Sequence, residues 1–150
     1  MADPGSPPPF ARIAVAGATG YIGARLVPRL LAAGHHVRCL VREPRKLSNR
    51  PWASDPRVEV LAVELDDAAV VERALAGCDV LHYLVHAMRS AGADYAERDR
   101  SMARTVATAA KAAGVSRIVQ GYASGAIVQY EIEGPPGERF MADQTAVRLP

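Results

Sequence analysis

Residues Gly17-Ala18-Thr19-Gly20-Tyr21-Ile22-Gly23 follow directly on the run Ala11-Arg12-Ile13-Ala14-Val15-Ala16 and lead into a helical pattern. A short, nearly continuous apolar run is how a buried parallel strand reads. A glycine turn behind it lets the next helix aim its free backbone N–H groups and positive dipole end at an anion, and pyrophosphate is the usual one. Each glycine has its own physical role. Gly17 permits the sharp turn, Gly20 lets the backbone approach the phosphates, and Gly23 lets the helix pack closely on the strand. The Gly-x-x-Gly-x-x-Gly spacing differs by one residue from the simplest dinucleotide fingerprint, so its context carries the weight.

That context is helical. Ile22, Leu26 and Leu30 recur at i, i+4 and i+8, Val27 and Leu31 widen the stripe, and Gly34 is the expected stop. Pro28 removes one backbone bond from this helix, and a kink or local distortion is expected near residues 24–28. Further along, residues 36–41 and 57–63 read as strands two and three, separated by a polar segment over 42–56. Asp66 or Asp67 is placed to cap a helix carrying Val70, Val71, Ala74 and Leu75, which stops at Gly77 before strand four at 78–85. A longer helix is expected over 94–113, with Met102, Val106, Ala109, Ala110 and Ala113 on one face, followed by strand five from Arg117. Strands alternating with helices define an α/β class: a Rossmann-like, doubly wound parallel sheet of order 3-2-1-4-5, with a ligand at the C-terminal strand ends.

Composition bounds the rest. The 150 residues suit one domain. Residues 1–10 are proline-rich and read as a flexible lead-in, 11–120 as the nucleotide-binding domain, and 121–150 as a divergent C-terminal segment. The formal net charge of +2 gives no reason to expect nucleic acid as a partner. No apolar stretch reaches membrane-spanning length and the start lacks a signal pattern, so the expectation is a cytoplasmic protein with no membrane partner. Cys39 and Cys78 lack a Cys-x-x-Cys spacing and are expected to be buried, reduced thiols, Cys78 opening strand four. His82 and His86 stand at i, i+4 on a predicted strand without an acidic ligand set, and no metal site is expected. His82 reads as a packed or surface strand residue, whereas His86, at the strand end, is a candidate neighbour of nucleotide or substrate.

Through Gly17 to Gly23, Cys39-Leu40-Val41-Arg42 and the strand-four ending Tyr83-Leu84-Val85-His86, the chain resembles the extended and atypical short-chain dehydrogenase/reductase superfamily. The likeness is greatest to the NAD(P)H-binding branch related to NmrA-like proteins, and it covers about residues 11–119. It implies a dinucleotide cofactor, with Gly17, Thr19, Gly20, Tyr21, Ile22 and Gly23 around the pyrophosphate and Val85, His86 and Ala87 beside the nicotinamide ribose. Relatives often carry Gly-Asp-Leu after strand three, where the aspartate reaches the adenine amino group. Val63, Glu64 and Leu65 stand there in this chain, which makes Glu64 and Leu65 adenine-side candidates.

Charge argues for the cofactor's form. NAD selectivity usually uses a carboxylate at the end of strand two, and that place holds Arg42, whose guanidinium suits the 2′-phosphate of NADP; Arg45 and Lys46 add charge. NADP is therefore expected, with NAD as the alternative. No catalytic residue is assigned. Classical members of the superfamily use Tyr-x-x-x-Lys, and neither Lys46 nor Lys111, the only two lysines, has a tyrosine four residues before it; atypical relatives also lack the pair, so its absence does not exclude a reductase. Ser124 lies past the point where the resemblance holds.

After Val119 the resemblance fades, so the expected sheet stops after strand five and the chain reads as cut short. A truncated product, a shifted reading frame and a minimal protein all remain open. Residues 127–132 could supply one alternating strand. The functional expectation is an NADP-preferring, oxidoreductase-type domain acting on an unknown small molecule. The alternatives are a non-catalytic NADP sensor, or an inactive fragment with an exposed sheet edge past strand five. Whether it forms a homodimer is left open.

Overall fold

The computed structural model describes residues 11–85, 95–121 and 127–131. Strand β1 (Arg12–Ala16) runs into helix α1 (Tyr21–Ala32), followed by β2 (His36–Val41), two short 3-10 turns, and β3 (Val58–Ala62). Then come α2 (Ala68–Leu75), β4 (Val80–Tyr83), α3 (Tyr95–Ala112), β5 (Arg117–Gly121) and β6 (Ile127–Glu131). The sheet order is β3-β2-β1-β4-β5-β6. The first five strands pair in parallel, in the expected order, and β6 joins antiparallel to β5. The sheet thus does not stop at strand five: Ile127–Glu131 covers the edge that the fragment reading leaves exposed.

Strand pleating sends alternate residues to opposite faces and so builds two cores. Ala14, Ala16, Leu40, Leu81, Tyr83 and Ile118 pack with Val71, Ala74 and Leu75 of α2 and Val106, Ala109 and Ala110 of α3. On the other face Ile13, Val15, Val37, Cys39, Val41 and Val80 pack with Val27 and Leu31 of α1. Burial of each valine, leucine or isoleucine among them contributes about 1.5–3 kcal/mol, which is what holds helices on both faces.

Among the described residues, one charged group enters this interior. Arg38 on β2 is 8% exposed. Its Nε meets Glu59 Oε2 at 2.7 Å, and its Nη1 donates to the carbonyl oxygens of Ala74 (2.8 Å) and Ala76 (2.7 Å). These belong to the C-terminal end of α2, where backbone carbonyls lack intrahelical donors. The arginine satisfies them and the carboxylate balances its charge.

The structure corrects several expectations. The stripe of α1 that faces the sheet is Gly23, Val27 and Leu31, with Leu26 and Leu30 half-buried, whereas Ile22 is 50% exposed. The apolar stripe is wider than the contact, and the close approach at Gly23 decides which edge of it turns inward. Pro28 lies inside α1, which runs from Tyr21 to Ala32. The turn after it carries the positive φ of 91° at Gly34. Strand four is shorter than expected, and Cys78 lies before it, not at its start. Both cysteines are free and buried, and burial pushes the Cys39 thiol up to about 12.

Candidate functional site at the C-terminal strand ends

Register brings the site together. Ala16 pairs with Leu40 on one side and Tyr83 on the other, and Val41 pairs with Ala62. The residues that follow these positions, Gly17, Arg42, Glu64, Leu84 and Val85, therefore emerge along one end of the sheet. The contact between the first and fourth strand ends is close. Leu84 N–H donates to the Ala16 carbonyl at 2.9 Å, and a Cβ placed on Gly17 would stand 3.1 Å from the Leu84 carbonyl carbon and oxygen. Gly17 has φ of +97°, so both backbone conformation and space require glycine there.

Gly20 and Gly23 differ in kind. A Cβ on Gly23 would overlap the Gly17 carbonyl and lie 2.7 Å from Ala18 Cα, so the first turn of α1 seats on the glycine loop only without a side chain. Gly20 has φ −79° and ψ 175°, which any residue adopts, and a Cβ there would meet only the Gly17 carbonyl at an ordinary 3.4 Å. Nothing among the described residues requires glycine at position 20. Glycine there leaves the loop open to a close approach from outside, such as that of a phosphate. Gly20 is also the N-cap of α1, no side chain caps it, and no acidic residue stands in the first turn. Thr19, Gly20, Tyr21 and Ile22 are all exposed. The Tyr21 ring stacks under the Arg25 guanidinium, 3.6 Å from its centroid, and Arg25 Nη1 donates to the Tyr21 carbonyl at 3.1 Å.

At the end of β2, Arg42, Glu43, Arg45 and Lys46 are exposed. Glu43 pairs with Lys46 at 3.0 Å, and the hydrogen bond from Lys46 is the main cause of its lowered pKa, with Arg45 and Arg42 adding smaller effects. The carboxylate that could oppose an anion is thus engaged by Lys46, while Arg42 and Arg45 have no ion pair among the described residues. After β3, Glu64 is exposed and Leu65 is buried in the α2/α3 core. The ambiguity over the following aspartates is resolved: Asp67 caps α2, its Oδ1 accepting from Ala69 N–H (3.1 Å) and Val70 N–H (3.2 Å).

Val85 is half-buried at the end of β4. His86 and Ala87, named with it from the sequence, lie outside the described residues, as does Ser124. His82 stands between Val15 and Val119, half-buried, and burial pulls its imidazole down to about 4, leaving it neutral near pH 7. Among the described residues no cluster of histidine, cysteine and acidic side chains could hold a metal ion, and no helix is long and apolar enough to cross a membrane. The sequence reading missed Leu84, whose backbone walls the glycine turn. Only strand register, invisible in a single sequence, places it there.

A parallel sheet of order 3-2-1-4-5 with an uncapped glycine turn after its central strand is a Rossmann-like nucleotide-binding fold. The chain belongs to the NAD(P)H-binding family, whose model matches residues 17–145. It is 34% identical over 117 residues to a 3β-hydroxysteroid dehydrogenase/Δ5→4-isomerase of Mycobacterium tuberculosis, covering 72% of this chain and 30% of that protein. Among solved structures, a mutant of NmrA superposes with a TM-score of 0.62 at 25% identity, over 75% of this chain and 33% of the other. The NADPH-dependent quinone oxidoreductase of Escherichia coli, complexed with NADPH, superposes with a TM-score of 0.57 at 28% identity, over 72% and 35%. The chain thus spans about a third of the length of each of these three proteins.

Proposed function

We propose that this chain is an NADP-preferring dinucleotide-binding domain of oxidoreductase type. The observation that carries the reading is the glycine loop itself. Gly17 and Gly23 are demanded by the fold, but Gly20 and the uncapped first turn of α1 are left open to the outside. That cradle fits a pyrophosphate. Thr19, Gly20, Tyr21 and Ile22 would hold it through the backbone, with Gly17 and Gly23 shaping the loop. Arg42, supported by Arg45, would take the 2′-phosphate, Glu64 and Leu65 the adenine side, and Val85, His86 and Ala87 the nicotinamide side. The nicotinamide supplies hydride chemistry toward a carbonyl or hydroxyl carbon, and the dehydrogenase and reductase names of the relatives support that class of substrate. The chain's own part is to bind, orient and select the dinucleotide.

A second reading is a dinucleotide sensor without turnover, the use that the likeness to NmrA-like proteins suggests. Melting the purified protein against rising NADPH and NADH tests the first point for both. Saturation at ~100 times the dissociation constant adds about 2.7 kcal/mol of stability. A larger shift with NADPH, reduced to the NADH level in Arg42→Ala, is the expected result. Equal shifts would sink the NADP preference, and no shift with either would sink the binding reading. Turnover of NADPH with carbonyl substrates then separates reductase from sensor.

A further inference from the structure

Tyr83 closes β4 and is 4% exposed, and its hydroxyl is the buried side-chain polar atom left without a hydrogen-bond partner among the described residues. A phenylalanine would fill the same space without that cost, so a tyrosine here calls for a partner. The packing of α3 offers one. Val106 and Ala110 are buried in the core that contains Tyr83, and Met102 and Ala103 pack against it. Asp99 stands three, four and seven residues before Met102, Ala103 and Val106, which places it on the same stripe of α3, and it is half-buried. An acid on the sheet-facing stripe of a helix is as conspicuous as a phenol in an apolar core. In a strand–helix–strand unit the start of the helix lies over the end of the strand before it, so both groups belong to the end of the molecule that carries the glycine turn. The negative charge of Asp99 reaches the phenol oxygen: burial raises the Tyr83 pKa and Asp99 adds to it.

We infer that Asp99 is the hydrogen-bonding partner of Tyr83 across one bridging water, and that the pair positions the end of β4 for the nicotinamide half of the dinucleotide. This rests on the dinucleotide reading above. Tyr83 is followed at once by Leu84, whose backbone lies against Gly17, and by Val85. Fixing the Tyr83 side chain to α3 fixes the height of Leu84 and Val85 relative to the glycine turn. The pair touches no reacting atom and acts only through the strand end.

The test uses the full 150-residue chain and two probes: NADPH, and 2′,5′-ADP, which carries the adenosine and its 2′-phosphate but no nicotinamide. In Tyr83→Phe, NADPH binding should weaken about tenfold, the scale of one hydrogen bond to a charged group, while 2′,5′-ADP binding stays within about twofold. Asp99→Ala should repeat this pattern, Asp99→Asn, which keeps an acceptor, should restore most of the NADPH affinity, and the double variant Tyr83→Phe/Asp99→Ala should be no worse than either single one. If Tyr83→Phe does not fold, the Asp99 pair carries the same comparison. Unchanged NADPH binding in these variants, or a parallel loss of both probes, would overturn the positioning role while leaving the dinucleotide reading intact. Wild-type protein that binds neither probe would overturn both.

Discussion

Helices α1 and α2 start in opposite ways. At α2 the chain supplies its own acceptor: the Asp67 carboxylate takes the N–H groups of Ala69 and Val70, and the start is closed. At α1 the N-cap is Gly20, without a capping side chain or an acid in the first turn, and the start is open. Both helices bury one face against the same sheet, so packing does not explain the difference. Capping is worth about 1 kcal/mol to a helix, and the donors left uncapped at α1 are the ones that the proposed reading assigns to an outside anion. The lesson is that a binding site can be read from a stabilising contact withheld.

The largest expected effect is at Gly23. Gly23→Ala puts a methyl into the Gly17 carbonyl and beside Ala18 Cα, where backbone must move, and the cost is about 3 kcal/mol or more. Thermal melting should show a much less stable or unfolded protein. An unchanged melting temperature would mean that α1 does not seat on the loop as described, and the open start would lose its geometry.

Gly20→Asp turns the open helix start into a copy of the closed one. The new carboxylate should cap α1 and raise the stability of the protein alone by a few tenths to about 1 kcal/mol, while its charge and bulk abolish the NADPH-induced shift in melting. A variant that is both better capped and still shifted by NADPH would break the comparison.

The smallest effect is the control at the other helix. Asp67→Ala should lower stability by about 1 kcal/mol and leave NADPH affinity unchanged, measured by melting and by titration. A loss of affinity there would show that the start of α2 also serves the ligand.

Much of this was legible in the residues. The order of strands followed from alternating periodicities and glycine stops, because local pattern fixes element type and right-handed crossovers restrict topology. The roles of Gly17 and Gly23 also followed, since each is a demand of backbone geometry within a few residues. The inward face of α1 did not follow. Ile22, Leu26 and Leu30 formed a convincing stripe, yet Ile22 points to solvent, because the seating of Gly23 against the loop rotates the helix toward Val27 and Leu31. Nor did the choice between Asp66 and Asp67 as the cap, two neighbours of equal capping propensity that only the backbone at the start of α2 tells apart.

By itself, then, the sequence determined a parallel α/β sheet, its strand order, and a glycine turn fit for a phosphate, because these depend on residue spacing over one turn or one strand. Tertiary structure alone decided that Leu84 would wall that turn, that Glu43 would be taken up by Lys46 beside Arg42, and that the Tyr83 hydroxyl would face an interior with Asp99 on the stripe above it. Register across strands and the rotation of a packed helix set these contacts, and both arise from the whole core at once rather than from neighbours in the chain.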